Sequence, residues 1–315
     1  MISLKKVDGS IFPRALSLLP DLQDQYLQEE DWKILFNHRW ERQEEYCGYG
    51  LFDEEELVGF IGLIFSLRKI AGEIHPICNL TSWVVKEPYR DHSLSLLLPV
   101  MRLEDYTITD LSASEGAFRI LKRLGFKELD QSVTVVPCLP SGMRMLNTNP
   151  ILSQDPDLIR KTLNPDDLEI YNDHVRNSSC NHFILQRQNR YCYIVASKVI
   201  YNTRIPYSFI HYVSHPEIFS SRSRSICTGI ARSQKTNFVA IDSRHATCMN
   251  LPLFHYNISL WRSRLYKSPD LKPDQVDNLY SELVLLNFST FPSPIPDRLN
   301  VLERIISARG RISSS

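Results

Sequence analysis

Residues 79–126 decide the fold, and they read NLTSWVVKEPYRDHSLSLLLPVMRLEDYTITDLSASEGAFRILKRLGF. The stretch gives a buried strand, a basic turn with small residues, a helix, a second strand and a helix that ends in Leu-Gly-Phe. Where a strand leads directly into a helix, several backbone N–H groups have no partner within the helix. These donors and the positive end of the helix dipole favour a phosphate. The order of elements therefore predicts an α/β protein that holds a pyrophosphate-bearing cofactor at a strand-to-helix turn.

The turn in this stretch is short and basic, and it contains small side chains. It runs from Arg90 to Ser95 and lies between the apolar segments 83–85 and 96–98. Farther on, residues 114–124 form an amphipathic helical pattern, and Gly125 fits the left-handed conformation in which many helices end. The two segments together are more specific than either alone.

Charge balance and size exclude several classes of protein. The chain has 315 residues, long enough for one large domain or two ordinary ones, and its 36 basic and 36 acidic residues cancel. A neutral chain has no overall attraction to nucleic acid or to an anionic membrane surface. The longest apolar run, 57–65, is far shorter than the ~20 residues that span a bilayer. The N-terminus lacks the apolar core of a secretory signal, so we expect a cytoplasmic protein.

The seven cysteines are scattered singly, and none belongs to a Cys-x-x-Cys pair. An odd, dispersed set of cysteines in a chain of this length argues against a disulfide framework and against a structural zinc site. We therefore expect the cysteines to be small core residues and the protein to bind no metal.

The first half begins with helical patterns and continues with strands. A hairpin is predicted from the apolar runs 49–52 and 57–65, which flank an acidic tip. A helix is predicted from residue 93 to about residue 103, and strand 132–137 is expected to close this unit. Proline, asparagine and serine between residues 138 and 156 then predict a linker or crossover.

The second half repeats the order of elements in a shortened form. Residues 191–201 and 206–213 predict paired strands, 216–234 a helix and 237–242 a further strand. The sequences of the halves are not alike, so the repeat is one of architecture. We expect an N-terminal domain over residues 1–140, a degenerate second domain over 151–295, and a C-terminal helix with a disordered tail over 296–315.

The turn resembles a motif of the GNAT superfamily of acyl-CoA N-acyltransferases. Members of that family carry Arg/Gln-x-x-Gly-x-Gly/Ala after their fourth strand. The same positions here read Arg90, Ser93 and Ser95, so serines stand where the family has glycines. Small side chains are kept, but the freedom of glycine at positive φ is lost.

The helix that follows also resembles its counterpart in this family. There an asparagine is followed three positions on by alanine, and then by Leu-Tyr-Glu-Lys-Leu-Gly-Phe. Here the positions read Ser114, Ala117 and Ile-Leu-Lys-Arg-Leu-Gly-Phe over residues 120–126. The tyrosine has become Leu121. The resemblance covers residues 1–137 and implies two GNAT-like domains in tandem, each a mixed twisted sheet flanked by helices (α/β, in the α+β sense).

The resemblance implies that an amine attacks the thioester of acetyl-CoA or another acyl-CoA directly. The turn would hold the pyrophosphate, and a backbone N–H near the end of the fourth strand would stabilise the oxyanion. An alternative for Ser93 is a plain helix N-cap. The cofactor-binding residues implied in this way are Trp83, Val84, Val85, Arg90, Asp91, His92, Ser93, Leu94 and Ser95.

Proton transfer needs other residues, because leucine at position 121 cannot replace the tyrosine acid of the family. Ser114 is a substitute by position, and Tyr106 is one by its place on a nearby strand. Glu73 and His75 precede the fourth strand, where a base could face the cleft. A surface glutamate and a loop histidine are the plainer interpretation of the last two.

Three functions are compatible with the sequence. The first is an acyl-CoA-dependent N-acyltransferase, most simply an N-acetyltransferase, acting on a small amine. The second is a non-catalytic protein of the same fold that binds acyl-CoA or serves as an interaction module. The third, aminoacyl transfer from tRNA, is disfavoured by the zero net charge. We expect a small-molecule partner and neither nucleic acid nor membrane, and the sequence allows a homodimer.

Overall fold

The computed structural model describes residues 1–18, 27–38, 40–138, 152–187 and 190–295. Within them the chain forms two mixed sheets of seven strands each, with helices between the strands. The strands are β1 Ile2–Val7, β2 Gly48–Asp53, β3 Glu56–Ile70, β4 Glu73–Val85, β5 Thr107–Ala113, β6 Lys127–Glu128, β7 Ser132–Pro137, β8 Leu152–Ser153, β9 Cys180–Arg187, β10 Arg190–Val199, β11 Tyr207–Val213, β12 Phe238–Asp242, β13 Tyr256–Ser259 and β14 Ser263–Lys267. The helices are α1 Phe12–Leu16, α2 Glu29–Asn37, α3 Ser93–Leu97, α4 Glu115–Arg123, α5 Pro156–Thr162, α6 Pro165–His174, α7 Pro216–Gln234, α8 Ser243–Ala246 and α9 Glu282–Leu286.

The first sheet has the strand order β1-β2-β3-β4-β5-β14-β6. β2 and β3 pair antiparallel around the acidic tip, which confirms the predicted hairpin. β3 is buried on both faces: Phe60 and Ile64 pack into one hydrophobic cluster, and Leu63 and Phe65 into another. A strand with two covered faces reads as a nearly continuous apolar run, and β3 does.

The second sheet has the order β13-β7-β12-β11-β10-β9-β8. Its centre repeats the path of the first sheet, because an antiparallel β9-β10-β11 meander leads into a parallel β11-β12 pair, as β2-β3-β4 leads into β4-β5. The predicted architecture of two similar halves is therefore confirmed. α7 spans Pro216–Gln234, as the sequence predicts.

Two strands cross between the halves. We expected β7 to close the first unit, but it lies in the second sheet between β12 and β13. In return β14 enters the first sheet between β5 and β6. Strand order along the chain does not encode this exchange, because pairing depends on partners more than one hundred residues away. The predicted linker and tail lie mostly outside the described residues, so the domain limits remain predictions.

Local signals set the helix ends. Ser114 is the N-cap of α4 and accepts the N–H of Ala117, and Gly125 follows that helix at φ +88°. The helix predicted from residue 93 to 103 is shorter than expected: α3 ends at Leu97 because Pro99 has no N–H to continue the helix. A single 3-10 turn over Val100–Arg102 follows.

A buried ion pair joins the two sheets. Arg264 on β14 donates Nη1–H to Asp242 at the end of β12, and both side chains are almost fully buried. Arg244 donates to the same carboxylate at 2.9 Å. Separately, in the part of the chain described, no helix is long and apolar enough to cross a membrane.

Candidate active site

A bulge in β4 opens the first sheet. Thr81 pairs with Gly62 and Val84 with Phe60, so that Ser82 and Trp83 together lie opposite a single residue of β3. Ser82 takes a left-handed conformation, φ +50°. Such a bulge leaves its extra residue outside the ladder and bends the strand.

The bend separates β4 from β5. The two strands pair in parallel only from Ile77 and Thr107 to Asn79 and Thr109. Beyond these pairs, residues 80–83, Asp110 and residues 112–114 line a cavity of about 390 Å³. Ligand sites in mixed α/β folds favour such openings between neighbouring strands.

Two buried carboxylates lie at this cavity. Asp110 is on β5, and Glu282 begins α9, which comes from the far end of the chain. Glu282 is 1% exposed; it accepts the hydroxyl of Ser112 at 2.7 Å, and its own N–H donates to Asn79 at 3.1 Å. Its second carboxylate oxygen and the indole N–H of Trp83 are buried with no partner among the described residues. Such groups are uncommon in folded proteins, and a bound water or ligand in the cavity would satisfy them.

Burial shifts both carboxylates toward neutrality. It raises the pKa of Asp110 to about 8, and the nearby charge of Glu282 adds to that rise. Burial likewise raises the pKa of Glu282 to about 7, against the hydrogen bond from Ser112, which lowers it. Two interacting carboxyl groups titrate as a pair. The pair therefore exchanges a proton close to neutral pH, which is what a general base or acid requires.

The same shifts predict a pH dependence of stability. In the unfolded chain these carboxyl groups ionise near pH 4, but in the folded chain they hold their protons to pH 7–8. The unfolded state binds fewer protons in this window, so the contribution of the pair to stability falls as pH rises. We expect Asp110→Asn to be more stable than the unmodified protein at pH 9, by about 1–3 kcal/mol, and closer to it at pH 5.

Urea unfolding of both proteins at the two pH values measures this difference, and the subtraction removes the contributions of the histidines. Asp105→Asn is the matched control, because Asp105 is exposed just before β5 and should give the same small change at both values. An Asp110→Asn variant that is equally destabilised at pH 5 and pH 9 would mean that Asp110 is ionised in the folded protein.

The predicted cofactor-binding residues lie along one path from β4 to α3. Trp83 borders the cavity, Val84 is buried in the core, and Val85 ends the strand. The following residues form a 3-10 turn over Glu87–His92 and then α3. In this path Arg90, Asp91, His92 and Leu94 are exposed, and Ser93 and Ser95 are partly exposed.

Two of the groups assigned to the phosphate have partners in this turn. The N–H of Ser93 donates to the carbonyl of Arg90, and the hydroxyl of Ser95 donates to the carbonyl of His92. The turn therefore offers a phosphate fewer donors than the motif alone indicates. The role of residues 90–95 remains a prediction.

The three predicted catalytic residues do not come together. Ser114 borders the cavity, with its hydroxyl oxygen capping α4. Tyr106 precedes the paired part of β5 and donates to Gln43 at 3.4 Å, and burial raises its pKa to about 12. Glu73 is exposed at the start of β4, nine residues or about 30 Å of strand from the bulge. His75 lies at that same end.

The residues that sequence reasoning missed are Asp110 and Glu282. Each carries a weak signal: Asp110 interrupts a β-branched strand, where aspartate is rare, and Glu282 is the one acid in the apolar run 282–286. Only the folded chain brings the two carboxylates to the same cavity. In the part of the chain that is described, no group of three or more histidine, cysteine, aspartate or glutamate side chains is arranged for a metal ion.

Comparison with known proteins gives the class of fold. No protein-family model and no curated protein matches the sequence. Among solved structures, a conserved protein of unknown function from Enterococcus faecalis, titled a probable N-acyltransferase, is 10% identical, with TM-score 0.56 over 87% of this chain and 74% of that one. GCN5-related N-acetyltransferases from Kribbella flavida and Anabaena variabilis give TM-scores of 0.51 and 0.50 at 12% and 10% identity. They cover 84% and 85% of this chain, and 70% and 72% of their own.

The protein therefore has the GNAT fold. Its two seven-stranded mixed sheets, flanked by helices, match two GNAT-like domains, as the sequence predicts. At these identities the likeness is one of fold.

Proposed function

We propose that the protein transfers an acyl group from acyl-CoA, most simply acetyl-CoA, to the amine of a small molecule in the cavity between β4 and β5. The observation that carries the proposal is the opening at Ser82 with two buried carboxylates beside it. The cavity is large enough for a thioester arm and a small acceptor. The serines at 93 and 95 keep the turn small enough for the approach of a pyrophosphate.

The reaction uses these groups in order. A carboxylate of the Asp110–Glu282 pair takes the proton of the acceptor ammonium, and the free amine attacks the thioester carbon. The N–C bond forms and the C–S bond breaks. Backbone N–H groups freed by the bulge stabilise the oxyanion between these events. The attacking nitrogen passes its second proton to the leaving thiolate of coenzyme A, directly or through water, and the pair returns the first proton to solvent.

Acyl-CoA binding is the first test. A ligand at 100 times its dissociation constant stabilises a protein by about 2.7 kcal/mol, so acetyl-CoA or a longer acyl-CoA should raise the melting temperature. Ala117 borders the cavity on α4, and Ala117→Trp should fill it and remove most of the shift. Arg119→Trp is the control, because the Arg119 side chain on the same helix is 66% exposed and should leave the shift intact.

A folded Ala117→Trp variant with the full shift would show that acyl-CoA binds elsewhere. No shift with acyl-CoA of any chain length would exclude the transferase and the acyl-CoA-binding alternative together.

A non-catalytic acyl-CoA-binding protein is the second candidate. It is favoured by Leu121, which replaces the tyrosine of the motif and is fully buried, and by the N–H of Ser93, which is already bonded. Release of the coenzyme A thiol across a panel of amines separates the two functions. A protein that binds acyl-CoA but releases no thiol with any amine is the binding module.

A further inference from the structure

A second cavity lies in the second sheet at the position that corresponds to the first. β11 and β12 pair in parallel from Ser208 and Val239 to Ile210 and Ile241, and then separate. The space beyond them, about 460 Å³, is bordered by the end of β11, by α8 and by the start of α6. Its size is that of a small-molecule site.

One wall of this cavity carries excess positive charge. Arg244 borders the cavity, and its side chain is 8% exposed. It shares the carboxylate of Asp242 with Arg264, which is 1% exposed. Asp242 is the one carboxylate hydrogen-bonded to either guanidinium in the described residues, so three buried charges sum to plus one. The Nε and Nη1 atoms of Arg244 have no partner in that same set.

The histidines of this wall do not carry the charge. His211 and His245 both border the cavity, and each has one buried ring nitrogen without a partner in the described chain. Burial lowers the pKa of His211 to about 3 and also lowers the pKa of His245, so both rings are neutral. They can still orient a bound polar group by hydrogen bonding.

Another part of the cavity lining, at the start of α6, carries a negative charge without an ion-pair partner in the described chain. Asp167 on α6 is 3% exposed and accepts the hydroxyls of Tyr191 at 2.5 Å and Tyr212 at 2.8 Å. No cation of the described chain lies within ion-pair distance of it. Of the three other carboxylates at the cavity, Asp166 pairs with Lys69 and Asp277 with Arg68, and Asp274 is exposed to solvent.

Unmatched buried charges are costly unless a partner neutralises them. We propose that this cavity binds a small zwitterion, with its ammonium group at Asp167 and its carboxylate or phosphate group at Arg244. The site is separate from the proposed acyl-CoA site and does not depend on that function. The hydrogen-bond donors to Asp167 are neutral hydroxyls, so its negative charge remains available to an ammonium group. The charge of a salt-bridged carboxylate would already be matched.

Cys248 supplies a direct readout. It borders this cavity, and it is the one exposed cysteine of the seven, all of which the structure describes. Iodoacetamide, an uncharged reagent, should therefore modify Cys248 first, as mass spectrometry would show. The probes are ω-amino acids from glycine to 7-aminoheptanoate, with phosphoethanolamine as the phosphate-bearing arm. We expect at least one zwitterion to slow the modification fivefold or more.

Alkylamines and alkyl carboxylates of the same length are the controls, together with sodium chloride at equal ionic strength. The amines and carboxylates lack one of the two charges, so at least tenfold higher concentrations should be needed for the same protection of Cys248. Calorimetric titration of the same compounds is a second readout, which does not depend on the reactivity of the thiol. The proposal is overturned if no zwitterion binds at 10 mM, a dissociation constant that corresponds to a binding free energy of about −2.7 kcal/mol. It is also overturned if the alkylamines or alkyl carboxylates protect Cys248 as well as the zwitterions do.

Variants locate the ligand. Asp167→Asn keeps the shape of the side chain and one acceptor oxygen, and the second tyrosine hydroxyl can turn to accept from the new amide N–H. It removes the negative charge and should weaken zwitterion binding at least tenfold. Asp270→Asn, an exposed change outside the cavity, should leave it unchanged. Binding that survives Asp167→Asn at full strength places the ammonium group elsewhere and overturns the assignment. Because no acyl-CoA is present, failure here is distinguishable from failure of the proposed transferase.

Discussion

Replacing Glu282 by glutamine should lower kcat for acyl transfer by about 10²–10⁴-fold, the usual contribution of a general base. Glutamine keeps the acceptor for the hydroxyl of Ser112, and it removes a buried charge, so the fold should be preserved. Acyl-CoA binding should change by less than about twofold, since the proton acceptor acts on the amine. Thiol release at saturating acyl-CoA measures kcat, and melting shifts measure binding.

The pH profile gives an independent check on the same pair. In the unmodified protein kcat should rise with pH through a value near 7–8, as the pair loses its proton. Asp110→Asn should leave the single step of Glu282, near 7. Glu115→Gln is the control, because Glu115 is exposed on α4 and should give unchanged rates. If Glu282→Gln and Asp110→Asn both keep their rates within threefold, the carboxylates are structural.

Replacing Asp242 by asparagine should destabilise the protein by about 3–5 kcal/mol, because it leaves two buried guanidiniums without a carboxylate. Burial alone would raise the pKa of Asp242, but Arg264 and Arg244 hold it below the usual range. Stability contributed by this carboxylate is therefore complete above its unfolded pKa of about 4 and is lost as pH falls below that value. In urea unfolding, the unmodified protein should have a lower free energy of unfolding at pH 3 than at pH 7. The difference between the two pH values should be smaller in the variant.

Asp157→Asn is the control for this change. Asp157 also pairs with an arginine, Arg160, but its side chain is 96% exposed. An exposed pair contributes about 0–1 kcal/mol, so the control should remain close to the unmodified protein. An Asp242→Asn variant as stable as the control would mean that water or a bound anion neutralises the arginines.

Local features of the fold could be predicted from the sequence. The hairpin from β2 to β3 follows from two apolar runs around an acidic tip, and the end of α4 follows from Gly125. Each of these signals lies within a few residues of the structure that it determines. The predicted length of α3 was wrong because the prediction did not treat Pro99 as a helix terminator.

Contacts between residues that are far apart in the sequence could not be predicted. The hydroxyl of Ser112 and the carboxylate of Glu282 meet from positions 170 residues apart, and no periodicity of one segment indicates the other. The exchange of β7 and β14 is of the same kind. Ser114 was chosen by its position in the motif and does border the cavity, whereas Tyr106 and Glu73 were chosen for nearness in sequence to strands and do not. The catalytic role of all three stays a prediction.

The exchange of strands also means that the first sheet cannot be completed until β14 has been synthesised. β14 pairs with both β5 and β6, and about 135 residues separate β6 from β14 along the chain. At about 5–20 residues per second, a ribosome takes roughly 7–27 s to supply the missing strand. During that time the nascent N-terminal half presents an open β5 edge, which is able to pair with other chains until β14 is available.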